Sequence, residues 1–263
     1  MKRLLAAAVL SACSALPAAA QALDQLTPYF SARYFTWQEH DGGRRILKER
    51  GPLFSTGVLL GIVTKSSITL SGKGELFGGE VDYDGETQAP HSVPVRTQVG
   101  YFGTTAQLDL GYRAETATLR GEPFVGIGHR WWLRDLQDTT SASGEPVSGY
   151  TESWQTLYGR FGARGRLILP RGVEVVAEGG AKYPFYTGNS VDFSSSGVTT
   201  FRPRPHWSAF AETGVTYRKA RITLSYEGFR FNQSHERLVQ GKNYFQPKSS
   251  SDIFGLNLGW TFR

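Results

Sequence analysis

The stretch 254-FGLNLGWTF-262 alternates without a break. Phe254, Leu256, Leu258, Trp260 and Phe262 share one parity, and Gly255, Asn257, Gly259 and Thr261 share the other. Successive side chains of a strand point to opposite faces, so this segment has one apolar and one polar wall. A soluble half-buried strand reads the same way, so recurrence decides the matter. Segment 53–64 sets Phe54, Val58, Leu60 and Ile62 on one face. Segment 98–113 sets Ala106, Leu108, Leu110 and Tyr112 against Gln107, Asp109 and Arg113. Segments 68–83, 157–167, 173–183, 207–217 and 221–231 repeat the pattern, and 27–37 and 122–134 complete it less regularly. Each is about the length of a transmembrane β-strand, roughly 10 residues.

The connections alternate as well. Long ones fall at 38–52, 84–97, 135–150, 185–205 and 232–249, and short ones at 65–67, 114–121, 168–172 and 218–220. Long external and short internal connections are the signature of a membrane barrel. A β-sandwich has no reason for them. The expected fold is all-β: an antiparallel up-and-down transmembrane β-barrel of about ten strands. A periplasmic all-β protein is the alternative.

The chain has 263 residues, enough for one domain. Aromatics reach 13%, which suits belts at two membrane interfaces. Only the N-terminus holds a long apolar run, which excludes helical spans. Residues 1–22 read as a signal peptide: Lys2 and Arg3, then the apolar Leu4 to Leu10, then Ala20-Gln21-Ala22 as the cleavage site. The barrel domain is then 23–263. Leu10-Ser11-Ala12-Cys13 offers a competing lipobox that would lipidate Cys13. Cys13 is the one cysteine, so cleavage at Ala22 leaves no thiol for disulfides or catalysis. The net charge of +6 can suggest nucleic acid, but acidic residues are plentiful and export removes the chain from it. The five histidines are scattered, so neither a metal nor another cofactor is expected.

Charge fixes the register. An Arg on the lipid face near the midplane costs about 2–4 kcal/mol. Arg130, Arg134, Arg160, Arg164 and Arg166 on the fifth and sixth strands must therefore point inward. Glu174, Glu178, Glu212 and Glu227 on the seventh to ninth strands can partner them. A barrel of this size is nearly filled by side chains. The expectation is an Arg/Glu network that blocks bulk diffusion, with an ion or proton path as the alternative. This register turns His129 toward lipid. Tyr29, Trp37, Trp131, Trp154, Tyr183, Trp207, Tyr217 and Trp260 lie near segment ends, as interface aromatics do.

Residues Gly255 to Phe262 resemble the terminal strand of Gram-negative outer-membrane proteins, which ends in an aromatic and signals to the barrel-assembly machinery. The chain departs from that pattern by one residue, Arg263. The resemblance implies outer-membrane localisation, with membrane lipid and lipopolysaccharide as surroundings. Ten strands is also the size of the omptin proteases, which carry Asp-x-Asp on the second external loop and Asp-x-His on the fourth. Asp82-Tyr83-Asp84 is similar to the first pair, whereas Asp192-Phe193-Ser194 lacks the histidine of the second. His206-Trp207-Ser208 resembles the His-x-Ser pair of outer-membrane phospholipases and lipid A deacylases, in which the His activates the Ser. Arg44, Arg45, Lys48 and Arg50 cluster in the first external connection and could bind lipopolysaccharide phosphates. The expected role is structural, surface-interaction or narrow-pore, with an outer-membrane enzyme as the alternative.

Overall fold

The computed structural model describes residues 22–87, 92–192, 197–239 and 241–262. Residues 1–21 of the expected signal peptide, with Cys13, lie outside the described residues, as do Phe193, Ser194 and Arg263. Ten long strands run up and down: β1 (Ala22–Asp41), β2 (Arg44–Val63), β3 (Ile68–Glu86), β4 (Pro94–Tyr112), β5 (Leu119–Leu136), β6 (Tyr150–Leu169), β7 (Val173–Asp192), β8 (Ser208–Tyr217), β9 (Ala220–Asn232) and β10 (Lys248–Trp260). Each pairs antiparallel with its sequence neighbours. β10 returns to β1, from Tyr29↔Gly259 to His40↔Lys248, so the sheet is closed. Closure leaves no long strand with an unpaired edge.

The tight turns at one end carry residues that accept a left-handed backbone. Ser67, Arg171 and Arg218 have φ of 64°, 64° and 57°. Ala22 and Phe262, the outermost described residues, lie at the same end; in outer-membrane barrels the short turns are the periplasmic ones. At the other end β1 and β2 are joined by Gly42 and Gly43 alone, at φ of 56° and 84°. Two consecutive positive φ values make a type I′ hairpin turn, whose twist matches the strands it joins.

That turn corrects the sequence reading. Residues 38–52 are not a long loop: 38–41 and 44–52 are strand around a two-residue turn. Likewise β3 and β4 run through half of 84–97, and β7 continues to Asp192. The cause is a reversal of the alternation. In the lower part of the barrel, apolar residues face out, as Phe30, Phe54, Leu76, Phe102 and Phe161 do. Above them the apolar residues change parity and face in, as Phe35, Trp37, Leu53, Phe77, Val99, Tyr101 and Trp154 do. The upper outer wall is polar, with Lys48, Arg50, Asp82, Asp84 and Arg96. Lipid thus covers the lower wall, and the hydrophobic core fills the upper lumen.

The aromatic belt is corrected accordingly. Trp131, Tyr183, Trp207, Tyr217 and Trp260 face outward, and Trp207 packs on Phe161 and Tyr183. Tyr29, Trp37 and Trp154 instead face the lumen and are buried.

Candidate functional site

The lumen is built in three layers. The lowest is charged. Arg160 donates to Glu178 at 2.5 Å and to Gln107 at 2.6 Å. Arg164 donates to Asp109 at 2.5 Å and to Ser71 at 2.6 Å. Lys182 donates to Glu227 at 2.7 Å, and Arg130 lies 3.5 Å from the same carboxylate. Arg33 binds Glu75 through both guanidinium nitrogens, and the Tyr29 hydroxyl donates to that carboxylate at 2.6 Å. Nearer the mouth, Arg166 lies 3.6 Å from Glu174, Arg221 donates to Glu212 at 2.7 Å, and Arg113 grips Asp24 at 2.8 and 2.9 Å. Strand pleat sets this arrangement: residues two apart share a face, so Arg160, Arg164 and Arg166 all reach the same space. The network does not fill that space. A cavity of about 190 Å³ remains among these side chains.

The middle layer is aromatic, and it closes the lumen. Trp37 meets Trp154 edge to face at 5.0 Å, and Trp132 stacks on Trp154 at 5.4 Å. Phe231 packs on both Trp37 and Trp154, at 6.2 and 6.0 Å, and Tyr158 packs on Phe229 at 5.8 Å. The Arg130 guanidinium lies 4.1 Å from the Phe77 ring centre, so the lower cations abut the aromatic layer from beneath. Glycines make room for it. A Cβ on Gly128 would meet the Tyr158 ring at 2.3 Å, and one on Gly103 would meet Phe77 at 2.5 Å. An apolar layer thus stands above the expected Arg/Glu network. Stacked indoles exclude water without the desolvation cost of buried charge.

The upper layer holds three carboxylates around one guanidinium. Arg134 donates to Glu49 at 2.8 Å and lies 3.0 Å from Glu152. The Tyr101 hydroxyl also donates to Glu49. Glu39 accepts from the Trp37 indole at 2.9 Å and from the Gln246 amide at 2.8 Å. Glu152 accepts from the Trp154 indole at 2.7 Å. Burial pushes Glu39 up to about 7, and the nearby Glu152 and Glu49 add to the rise against the pull of Arg134. Gln246 brings the last external connection into this layer: its backbone N–H donates to the Ser234 hydroxyl at 2.9 Å, and Asn189 donates to its side chain at 2.8 Å.

Sequence reasoning singled out Arg134 here but not Glu39, Glu49, Glu152, Trp37 or Trp154 as a group. A signal was present. Trp37-Gln38-Glu39 and Glu152-Ser153-Trp154 each put a tryptophan and a glutamate two apart, hence on one face. In the lower layer, Lys73, Glu75, Asp109 and Lys182 fall on the polar faces of their strands, but they and Arg33 stand outside the charge network expected from the sequence.

The sequence-derived enzyme candidates lie apart. Asp82 and Asp84 are exposed on the outer face of β3, where Asp84 stands 4.0 Å from Arg96. Their backbone partners on β2 are Arg50 and Lys48. His206 is exposed just before β8, and its Nδ1 contacts the Trp207 carbonyl at 3.1 Å. Ser208 faces the lumen and is buried, with its hydroxyl unpaired. Among the described residues, no hydrogen bond or ion pair joins His206 to Ser208, Asp82 or Asp84. No group of three or more metal-ligating side chains occurs among the described residues. Lys48 and Arg50 lie on the outer side of β2, above Phe54, while Arg44 near the turn grips Glu86 at 2.8 Å. His129 is exposed on the outer wall, between Ala106 of β4 and Leu157 of β6.

Solved structures to which this chain is similar include three outer-membrane proteins. The outer-membrane protease OmpT from Escherichia coli is 10% identical, with 92% of this chain and 98% of that one covered and a TM-score of 0.55. An outer-membrane channel from Pseudomonas putida F1 is 12% identical over 94% and 99%, with a TM-score of 0.44. The translocator domain of the autotransporter NalP from Neisseria meningitidis is 11% identical over 99% and 96%, with a TM-score of 0.42. No protein-family model matches the sequence, and no curated protein matches it. The likeness to OmpT is one of fold: this chain is a closed ten-stranded barrel of the outer-membrane type.

Proposed function

We propose that this ten-stranded barrel sits in the outer membrane of a Gram-negative bacterium as a non-conducting protein that acts at the cell surface through its upper wall and external connections. One observation carries this reading: the Trp37, Trp132 and Trp154 layer spans the lumen from wall to wall. A pore needs a continuous wet path, and this layer interrupts it. The strands also rise well above the lipid-facing band, and their upper wall is held from within by a packed core. That makes the surface-exposed part a rigid body, suited to presenting side chains to a partner. The experiment is single-channel recording on the refolded barrel in a planar lipid bilayer. The expected result is silence. Discrete steps of conductance from the unaltered chain would overturn the reading in favour of a narrow pore.

A second element concerns the lipid. Lys48 and Arg50 stand on the outer wall directly above the apolar Phe54. That is the height at which lipopolysaccharide phosphates meet a barrel, and both side chains can donate charge-assisted hydrogen bonds to them. Arg45 is exposed near the turn, and Arg44 is engaged with Glu86. During insertion, β10 with Phe262 just beyond it would meet the assembly machinery before β10 closes on β1.

A further inference from the structure

The chamber beneath the aromatic layer has a charge imbalance that the protein does not cancel. Around its deep end stand six cations, Arg33, Lys73, Arg130, Arg160, Arg164 and Lys182, and five carboxylates, those of Glu75, Asp109, Glu122, Glu178 and Glu227. Each carboxylate is shared. Glu75 serves Arg33 and Lys73, Asp109 and Glu178 each serve Arg160 and Arg164, Glu122 serves Arg164 and Arg113, and Glu227 serves Arg130 and Lys182. One positive charge is left over inside a closed wall. Buried charge without a partner is costly, and a counter-ion relieves it.

Donors also remain. Lys73 lines the cavity and reaches Glu75 only at 3.4 Å, although that carboxylate is already taken by Arg33 and Tyr29. The Nε of Arg160 has no hydrogen-bond partner, although its side chain is only 6% exposed. Arg160, Arg164, Lys73 and Lys182 all line the one cavity. Its volume of about 190 Å³ is many times the ~10–15 Å³ that one water needs. Two guanidinium forks and two ammonium groups around one space suit a ligand with several acceptor oxygens.

We propose that this chamber binds a small oxyanion of the phosphate or carboxylate class, entering from the periplasmic end. Entry from above is closed by the tryptophan layer, and entry from the side by the continuous strand ladder. The cavity reaches the lower rim at Asp24 and Arg120, and the Arg120 side chain there is 31% exposed. A lipid headgroup cannot follow this route with its chains attached, so the ligand is a free anion.

The test is calorimetric titration of inorganic phosphate into the refolded barrel in a zwitterionic detergent at low ionic strength. A chloride titration serves as the control. The expected result is saturable binding of one phosphate per chain, weakened at least tenfold by Lys73→Met and by Arg160→Gln and unchanged by Arg44→Gln. Lys73 is the less buried of the two lumen sites, so its variant keeps the test open where Arg160→Gln does not fold. Folding of each variant is checked by the heat-dependent shift in gel mobility. No saturable phosphate binding, equal heats from chloride, or phosphate binding that Lys73→Met leaves unchanged in a folded barrel would overturn the proposal.

Discussion

Trp37 of β1 and Trp154 of β6 touch across the full width of the barrel, with ring centres 5.0 Å apart. In a ring of ten strands these two are as far apart as strands can be, five steps in either direction. Their contact fixes opposite walls to each other and divides the lumen. Below it lies a chamber with excess positive charge, and above it an acidic cluster around Arg134.

Removing the division should open the barrel. The double variant Trp37→Ala, Trp154→Ala deletes both indoles and leaves a gap beside Trp132. Single-channel recording should then show conductance steps that the unaltered chain lacks. Each substitution alone should also cost about 3–5 kcal/mol of stability, read from urea unfolding. A silent double variant that still folds would show that other side chains complete the seal.

Arg134 is the hub of the upper layer. Its guanidinium is 1% exposed and holds both Glu49 and Glu152. Arg134→Met strands two buried carboxylates, and the expected loss is about 3–5 kcal/mol. Adding Glu49→Gln to that variant should recover part of it, because one uncompensated charge is then gone. Urea midpoints for the single and double variants check this.

Glu39 makes stability depend on pH. Its folded value of about 7 lies above the ordinary 4.5. Between those values the folded chain binds more protons than the unfolded one, so stability falls as pH rises through this window. Above about 7 the full cost of an ionised Glu39 is in place. Glu39→Gln keeps an oxygen to accept from Trp37 and Gln246 but carries no charge. Its urea midpoint should fall less between pH 5 and pH 8 than that of the unaltered chain, and should exceed it at pH 8.

The outer basic residues should divide by position. Lys48→Gln with Arg50→Gln should weaken co-purification of lipopolysaccharide and lower the salt needed to strip it. Arg44→Gln should change neither, because Arg44 near the turn is engaged with Glu86. None of these exposed changes should move stability by more than about 1 kcal/mol. Equal lipopolysaccharide retention by the Lys48/Arg50 variant would remove the lipid contact from this face.

Much of the barrel could be read directly. The alternation of 254–262 and its repeats placed all ten strands, and Arg160, Arg164 and Glu178 indicated which face looks inward. The upper half was misread because its rule is reversed. In β2, Phe54, Leu60 and Ile62 face out, yet Leu47 and Leu53 of the opposite parity face in. A parity break of that kind resembles a strand ending, so 38–52 read as a loop. Trp37 and Trp154 read as interface aromatics for the same reason: their chemistry suits either a membrane surface or a dry interior.

The sequence alone determined what is local: strand period, the short turns at one end, and the cost of placing charge against lipid. These follow from neighbours along one strand and need no knowledge of the others. Only the tertiary structure decided what meets inside. Whether Trp37 reaches Trp154, which carboxylate two arginines share, and where a cavity remains all depend on closure of the ring and on the stagger of strands far apart in the chain. No spacing between residues 37 and 154 encodes that contact. It exists because a closed sheet of this width brings opposite walls within reach of two indoles.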